Sequence, residues 1–336
     1  MNLKRESSVI SSILLAIATA GLGCCDKHAI AAPSTAPTTA PTFETSQRDP
    51  AAYIRRFPAY AKPMVVVTEE TIGKDIRLTH KQSLATIDMV KIPAGSIEMP
   101  ILGRDGKLDL AKTQTVRIKS FYISKTEVPW ELYDAWWYLS DLSGDERWEL
   151  YHTEALMRRD ARSHPTETYG RWDWGFGHDG YPAISIHPYA VRWFCTWLSV
   201  VTGKNHRLST EAEWEYACRA GGPPTLEKAT LDKVAWYFEN SKNELGEPTT
   251  HPVGRRSPNA FGLQDMLGNA GEWLVGIDGQ WVLKGGSFRS RIAAVNARAR
   301  IPFDDGIMQM REPQEPKGLG WLSDAPFAGF RVVRDE

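Results

Sequence analysis

The chain has 336 residues, of which 42% are hydrophobic and 24% are charged, a balance typical of one large globular domain or two modest ones. Its formal net charge of -1 and the absence of a basic run exclude a general affinity for nucleic acid or anionic membrane surfaces. A mean hydropathy of -0.37 excludes a polytopic membrane protein, and four Cys are too few for a disulfide-stapled scaffold.

Residues 1–25 predict an export signal. Lys4 and Arg5 give a positive start, and the apolar stretch that follows is too short and too rich in small residues for a membrane-spanning helix. It ends in a Leu-Gly-Cys sequence that resembles a bacterial lipobox, in which Cys24 would be lipidated and become the mature N-terminus. Cys25 is a competing position, and ordinary cleavage that leaves two loose Cys is the alternative. We therefore expect an exported protein that meets the membrane only through a lipid anchor.

The next segment has the composition of a tether. Residues 26–50 are rich in Ala, Pro, Thr and Ser and can bury too little apolar surface to fold. Residues 51–87 show no clear periodicity and are interpreted as an N-terminal extension. Residues 88–336 contain no internal repeat and no second low-complexity stretch, so we expect one folded domain there, held at the bacterial cell envelope.

Within this domain, short patterns predict strands. Residues 89–92 and 116–118 alternate in polarity, and residues 121–123 are rich in aromatic and β-branched side chains. Residues 143–180, rich in Gly, Asp, Arg and Trp, are interpreted as an irregular insertion. Beyond residue 222, Gly, Pro and Asn recur every few residues, which predicts ordered loops with short strands.

Three helices are predicted from their start and stop signals. The first has Pro129 in its first turn, and the second begins near His187 and ends at Gly203. The third is marked by Thr210 three places before Glu213, which is the spacing of a capping box. A few helices beside many short strands predict an α+β fold.

Seven stretches of the sequence together resemble the formylglycine-generating enzyme family, also called the sulfatase-modifying factor domain. In chain order they are residues 89–95, 127–128, 207–217, 258–263, 265–273, 284–288 and 329–333. The resemblance covers roughly residues 88–334 and implies a loop-rich α+β fold with a C-type-lectin-like core. It does not fix the function, because that family includes copper-dependent oxidases, iron-dependent sulfoxide synthases and ligand-binding lipoproteins.

The resemblance also shows what the chain lacks. In the oxidases two Cys follow the Gly-Gly-Ser-aromatic turn and hold Cu(I), which prefers soft thiolate ligands. Ser287 matches a family Ser in that turn, but the two Cys positions are Ser290 and Val295 here. Cys195 and Cys218 are expected to be small buried apolar residues or to pair with each other. Copper is therefore not expected, and the eight His show no metal-ligand spacing that would bind iron instead.

A calcium site is expected from the family positions that this chain keeps. The resemblance implies that Asp265 and Glu272 give side-chain oxygens and that Gly268 and Ala270 give backbone carbonyls to a structural Ca²⁺. Hard oxygen ligands in a tight loop suit this ion. The alternative is a loop in which Glu272 only accepts hydrogen bonds from backbone N–H groups.

The C-terminal stretch carries the candidate ligand groove. Its residues combine Arg with aromatic side chains, which suits recognition of an anionic or carbohydrate-like ligand by ion pairing and stacking. They are Arg289, Arg291, Arg298, Arg300, Phe303 and Trp321. The alternative is that the Arg side chains only form ion pairs with Asp304, Asp305 and Asp324.

Two functions remain open from the sequence. The preferred hypothesis is an exported, lipid-anchored, calcium-stabilised ligand-binding or accessory module, whose partner is a peptide, a glycan or an envelope protein, sulfatases among them. The alternative is a sulfatase-maturation oxidase or a related non-haem iron enzyme with ligands that the sequence does not reveal. The discriminating feature is the missing Cys pair.

Overall fold

The computed structural model describes residues 66–103, 108–138, 140–146, 173–304 and 325–336. The predicted export signal, the tether and the lipidation position Cys24 lie outside these ranges. Most of the predicted irregular insertion lies outside them as well. No helix in the described ranges combines the length and apolar character that crossing a membrane requires.

The described elements are twelve strands and four α-helices. In chain order they are β1 (Val67–Ile72), β2 (Asp75–His80), β3 (Thr86–Ile92), β4 (Gly95–Leu102), β5 (Leu108–Ile118), β6 (Phe121–Ser124), α1 (Trp130–Trp137), α2 (Pro188–Thr202), β7 (His206–Arg207), α3 (Glu211–Arg219), α4 (Lys228–Val234), β8 (Gly271–Val275), β9 (Trp281–Lys284), β10 (Arg300–Pro302), β11 (Ala328–Phe330) and β12 (Val333–Asp335). A single 3₁₀ turn, Ile292–Ala294, lies between β9 and β10.

The strands form two sheets and one ribbon. The larger sheet is antiparallel, in the order β1-β2-β3-β6-β12-β7, and the smaller has the order β10-β9-β8-β11, with β11 parallel to β8. The strands β4 and β5 form a separate antiparallel ribbon. Because β11 belongs to the smaller sheet and β12 to the larger, the two residues between them, Arg331 and Val332, connect the sheets.

The three predicted helices are present at the predicted signals. α1 begins directly after Pro129, and α2 has His187 at its N-cap and ends at Gly203, whose φ of 67° is the left-handed conformation that Gly tolerates. At α3 the Thr210 side chain accepts the Glu213 N–H and the Glu213 carboxylate accepts the Thr210 N–H, so the capping box is complete. These helices therefore begin and end where local chemistry requires.

Large aromatic side chains fill the interior. One cluster joins α1 and α2, where Tyr133, Trp136 and Phe194 pack against one another and against Phe330 of β11 with ring centroids 5.2–5.9 Å apart. A second cluster surrounds Trp214 of α3, which is fully buried. Truncation of such a ring to Ala costs about 3–5 kcal/mol, so these clusters hold the helices on the sheets.

The structure confirms the predicted mixture of few helices and many short strands. It differs from the sequence prediction in the N-terminal extension, where β1 and β2 join the larger sheet ahead of β3. β2 alternates strictly, with Ile76, Leu78 and His80 directed inward, whereas β1 is an exposed edge strand. The exposed edge strand carries little hydrophobic periodicity, which is why the pair is weakly marked in the sequence.

Candidate functional site

The Gly-Gly-Ser turn follows β9 directly and is fixed by its backbone. Gly285 and Gly286 have φ values of 87° and 73°, and a Cβ on Gly285 would lie 2.7 Å from the carbonyl oxygen of Met266. Only Gly fits this close approach. The turn then closes on itself, because the Ser287 N–H donates to Ser290 Oγ at 3.0 Å and the Ser290 N–H donates to the Ser287 carbonyl at 2.9 Å.

The three family positions of the copper site lie around this turn, but they offer no thiolate. Ser287 is buried, and its hydroxyl lies 3.4 Å from that of Ser290. Val295 is 1% exposed and belongs to the second apolar cluster, where its side chain packs beside Gly286. Two hydroxyls and an isopropyl group do not supply the soft ligands that Cu(I) requires.

The two Cys in the described part of the chain cannot replace them. Cys195 of α2 and Cys218 of α3 are buried and are not joined in a disulfide. Burial raises the pKa of the Cys195 thiol to about 12 and raises the pKa of Cys218 as well. Both therefore stay protonated, as small apolar residues do, and the predicted alternative of a mutual disulfide is not formed.

The loop predicted to bind calcium is tightly constrained. Asp265, Gly268 and Asn269 all have positive φ values, of 55°, 75° and 49°, and a Cβ on Gly268 would overlap the carbonyl oxygen of Trp236. The Asn269 side chain accepts the His251 N–H at 2.9 Å and donates to the His251 carbonyl at 3.1 Å. Strained backbone of this kind persists only where its surroundings hold it.

Glu272, at the end of this loop, forms a buried ion pair with Arg331. Both residues are 1% exposed. Arg331 donates from Nε to both carboxylate oxygens at 3.0 Å and from Nη2 to Oε1 at 2.8 Å, and the Trp214 indole N–H donates to Oε2 at 2.7 Å. Three side-chain N–H donors therefore make four hydrogen bonds to the Glu272 carboxylate, in place of the backbone N–H groups considered from the sequence.

Two further carboxylates belong to the same buried cluster and keep unpartnered oxygens. Glu127 accepts the Ala270 N–H on Oε1, and Asp265 accepts the Gly254 N–H on Oδ2, at 3.2 and 2.6 Å. Glu127 Oε2 and Asp265 Oδ1 are buried without a hydrogen-bond partner. Burial, reinforced by neighbouring carboxylates, raises the pKa of Glu127 well above its usual range and that of Asp265 to about 6.

These residues fit a cation that prefers oxygen ligands. Asp265 and Glu127 each have a free, buried oxygen, and uncompensated buried acceptors of this kind are costly. Within the described ranges, no three His, Cys, Asp or Glu side chains are grouped so as to hold a metal ion. A site here would therefore use at most two carboxylates and would complete its ligand set with backbone carbonyls, as predicted for Gly268 and Ala270, and water.

Three of the four predicted groove arginines form ion pairs. Arg291 lies 3.7 Å from Glu239, Arg298 lies 3.8 Å from Glu215, and Arg300 contacts Asp278 at 2.5 Å and Glu211 at 3.3 Å. Their partners differ from the Asp residues considered from the sequence.

The other groove candidates have separate positions. Arg289 has no ion pair in the described ranges and instead lies over two aromatic rings, Phe176 and Phe288. Phe303 packs edge-on against His187 and Trp281, beside the first aromatic cluster. Trp321, Asp305 and Asp324 lie outside the described residues.

Sequence reasoning missed two contributors to the buried carboxylate cluster. Glu127 and Arg331 were recognised only as parts of matching stretches. Arg331 lies 59 positions from Glu272 in the chain, and Glu127 lies 143 positions from Ala270. Contacts between such distant residues leave no local pattern in the sequence. A charged residue inside an otherwise apolar stretch was the available signal for Arg331, whereas Glu127 follows Lys125 and Thr126 and has no such signal.

Comparison with known proteins places these observations in a family. The family model described as "Sulfatase-modifying factor enzyme 1-like domain" matches residues 76–336. The formylglycine-generating enzyme of Mus musculus is 28% identical over 227 residues, which are 56% of this chain and 58% of that protein. The chain thus spans less than two thirds of that relative.

Two other matches are informative in different ways. The inactive C-alpha-formylglycine-generating enzyme 2 of Bos taurus is 25% identical over 249 residues, which are 63% of this chain and 77% of that protein. The solved structure of Treponema denticola variable protein 1 superposes with a TM-score of 0.52 at 19% identity, covering 81% of this chain and 99% of that one. The latter likeness concerns the fold alone.

Proposed function

The chain belongs to the family of sulfatase-modifying factor enzyme 1-like domains, and we propose that it uses this scaffold as an exported ligand-binding or accessory module without the copper oxidase site. One observation carries the proposal. The Gly-Gly-Ser turn is closed by the hydrogen bonds between Ser287 and Ser290, while the two positions that the resemblance assigns to Cu(I) in the oxidases are a hydroxyl, Ser290, and a buried apolar side chain, Val295.

The chemistry of the turn supports this proposal. Oxidation of a Cys needs a centre that binds the substrate thiolate and oxygen together, and Cu(I) is held there by soft sulfur ligands. Ser290 is a hard, neutral ligand, and Val295 packs into the apolar cluster. Arg289 is exposed beside the turn, and its permanently charged guanidinium can bind an anionic ligand but cannot act as a redox centre.

Calcium remains part of the proposal as a structural ion. Asp265, with the Gly268 and Ala270 carbonyls, would hold it as predicted. Because the Glu272 carboxylate is already engaged by Arg331 and Trp214, Glu127 would supply the second carboxylate oxygen. The ion would neutralise two buried carboxylates and stabilise the loop, with no part in catalysis.

Calcium dependence can be measured on the full chain by thermal unfolding in CaCl₂ and in EDTA. Ligand present at 100 times its Kd stabilises by about 2.7 kcal/mol, so we expect a higher Tm in calcium. Glu127→Gln should lose most of this difference. An identical Tm in both buffers, or a full calcium effect in Glu127→Gln, would contradict the assigned ligands.

The remaining parts of the proposal concern architecture and location. We infer a C-type-lectin-like core, an export signal with lipidation at Cys24, and a place in the bacterial cell envelope. The partner would be a peptide, a glycan or an envelope protein, which includes sulfatases. The chain is similar to a relative that is named as inactive, and this similarity supports a function without oxidase activity.

The decisive experiment offers the full-length chain Cu(I), oxygen and a peptide with the sulfatase Cys-x-Pro-x-Arg sequence. Mass spectrometry then measures conversion of Cys to formylglycine. We expect no conversion above the control without protein, and no stoichiometric copper or iron.

The double variant Ser290→Cys, Val295→Cys is the matched control, since it restores both thiols in a turn of unchanged length. Binding of Cu(I) by this variant and not by the natural chain would support the proposal. Conversion of the peptide by the natural chain, or a stoichiometric redox metal in it, would overturn the proposal in favour of the oxidase or non-haem iron alternative.

A further inference from the structure

Within the described residues, Arg289 differs from the neighbouring arginines in having no carboxylate paired with it. Arg291, Arg298 and Arg300 each lie within 4 Å of a carboxylate, whereas no carboxylate in the described residues pairs with Arg289. The residue is exposed, and its side-chain nitrogens are not among the buried unpartnered atoms. Its guanidinium therefore faces solvent with donors available for a ligand.

Two aromatic rings hold this guanidinium in place. Its carbon lies 5.4 Å from the ring centroids of both Phe176 and Phe288, which contact each other edge to face at 5.1 Å. Phe288 is buried, and the Phe176 carbonyl accepts hydrogen bonds from the hydroxyls of Thr249 and Thr250. Partial burial lowers the pKa of Arg289, but the group remains charged. An Arg fixed in this way loses little side-chain entropy when it binds an anion.

Hydroxyl groups lie next to Arg289 in the chain. Ser290 accepts the Ser287 N–H on its oxygen, and its weak 3.4 Å contact with the Ser287 hydroxyl leaves its proton available to a stronger acceptor. Arg289 itself is tied to the turn through its backbone N–H, which donates to Ser287 Oγ at 3.3 Å. A charged fork beside a hydroxyl donor is an arrangement suited to a carboxylate or a sulfate.

Trp174, two residues before Phe176, offers a rigid aromatic surface. It is 49% exposed, has a φ of 54°, and donates from its indole N–H to the Ser185 hydroxyl at 2.6 Å. Ser185 is itself buried with a φ of 60°. Left-handed conformations of non-Gly residues cost on the order of 1–3 kcal/mol each and cluster at ligand-binding sites. A strained, locked and exposed indole is suited to stacking on a sugar ring.

We propose that Arg289, the Ser290 hydroxyl and the Trp174 indole form a subsite for an anionic carbohydrate, with the sulfate or carboxylate on Arg289 and the sugar ring on Trp174. This inference rests on the proposed binding function and names the chemical class of its ligand. An acidic peptide would use Arg289 without needing the exposed indole, so the carbohydrate is the occupant that accounts for both features.

Titration of the full-length chain with chondroitin sulfate at 0.15 M salt tests the subsite. Arg289→Ala should weaken binding at least tenfold, and Arg289→Lys should weaken it several-fold because Lys lacks the planar fork. Trp174→Ala should also weaken it about tenfold. Lys112→Ala, which removes an exposed positive charge from the β4–β5 ribbon, is the charge-matched control and should bind as the natural chain does. Thermal unfolding of each variant verifies that it is folded.

Two further probes identify the anionic group and the class of ligand. Desulfated chondroitin retains its carboxylates. If it binds, the carboxylate is the group that contacts Arg289; if it does not bind, the sulfate is that group. Unchanged binding by Arg289→Ala, or binding of poly-glutamate with no effect of Trp174→Ala, would overturn the proposal. Absence of binding by any carbohydrate probe, in a chain that also fails to oxidise the Cys peptide, would overturn the subsite alone and leave the binding function standing.

Discussion

Replacement of Glu272 by Gln isolates the buried ion pair with Arg331. The amide keeps the volume of the side chain but replaces two charged acceptor oxygens by one neutral oxygen and an NH₂ donor. Arg331 Nε and Nη2 and the Trp214 indole N–H all point at this group, at 2.7–3.0 Å. The substitution therefore places donors against donors and removes the one carboxylate that hydrogen-bonds the guanidinium in the described residues.

The size of the effect follows from burial. Both partners are 1% exposed, and the remaining acceptors for Arg331 are the neutral carbonyls of Ser124 and Gln264, at 2.7 and 2.9 Å. Removal of one partner from a buried pair costs about 3–5 kcal/mol. At about 2–4 °C per kcal/mol for a domain of this size, the Tm should fall by roughly 6–20 °C.

Urea unfolding followed by Trp fluorescence measures the free energy of unfolding. The matched control is Glu239→Gln, because Glu239 pairs with Arg291 at 3.7 Å but the two side chains are 36% and 68% exposed. That control should lose no more than about 1 kcal/mol. Both variants are measured in CaCl₂ and in EDTA, and the loss in Glu272→Gln should be the same in both buffers because Arg331 already engages the carboxylate.

Two results would refute this reasoning. A loss of less than about 1 kcal/mol in Glu272→Gln would show that the ion pair does not carry the stability that its burial implies. A loss seen only in calcium would show that Glu272, and not Glu127, is the carboxylate that binds the ion.

Three other predictions concern single positions. Gly268→Ala should lower the free energy of unfolding in urea by several kcal/mol, because the added Cβ would overlap the Trp236 carbonyl. Gly73→Ala is the control, since Gly73 has a similar φ but open space around it, and it should cost only about 1 kcal/mol. Equal losses in the two variants would contradict the steric argument. Burial raises the pKa of Asp134 to about 6, so the folded state holds its proton more tightly, and the stability that this provides should fall as the pH rises from about 4 to 6. Asp265, whose pKa burial also raises to about 6, should contribute a slope of the same sign. Asp134→Asn should therefore make the fall in stability smaller without abolishing it, and an unchanged slope would contradict the role given to Asp134. Cys195 should resist thiol reagents in the folded chain and react after unfolding, and rapid labelling of the folded chain would contradict its burial.

Much of the fold could be predicted because its signals are local. The capping box of Thr210 and Glu213, the Gly203 stop and the alternating strand before Pro93 each depend on a few neighbouring residues. β1 escaped prediction because a strand at the edge of a sheet needs no apolar face, and its one buried residue is Val67.

The candidate site was predicted less completely because it is assembled from distant segments. The loop from Asp265 to Glu272 was predicted as a calcium site, and no local pattern indicated that the partner of Glu272 would come from the link between β11 and β12. Likewise, Arg289 is singled out only when the pairs of its neighbours are known. Charge in the sequence predicts that ion pairs exist, whereas the fold determines which Arg is left without one.

The matching stretches also explain why a family match does not establish oxidase activity here. Glu127 accepts the Ala270 N–H, Arg331 joins the two sheets through Glu272, and Gly285 permits a close approach to Met266. Each of these residues makes a contact that stabilises the fold whether or not copper is bound. The copper ligands, by contrast, fall at two isolated positions that the fold tolerates as Ser290 and Val295. A match to the family therefore rests on residues that serve the fold, and it does not establish the chemistry at Ser290 and Val295.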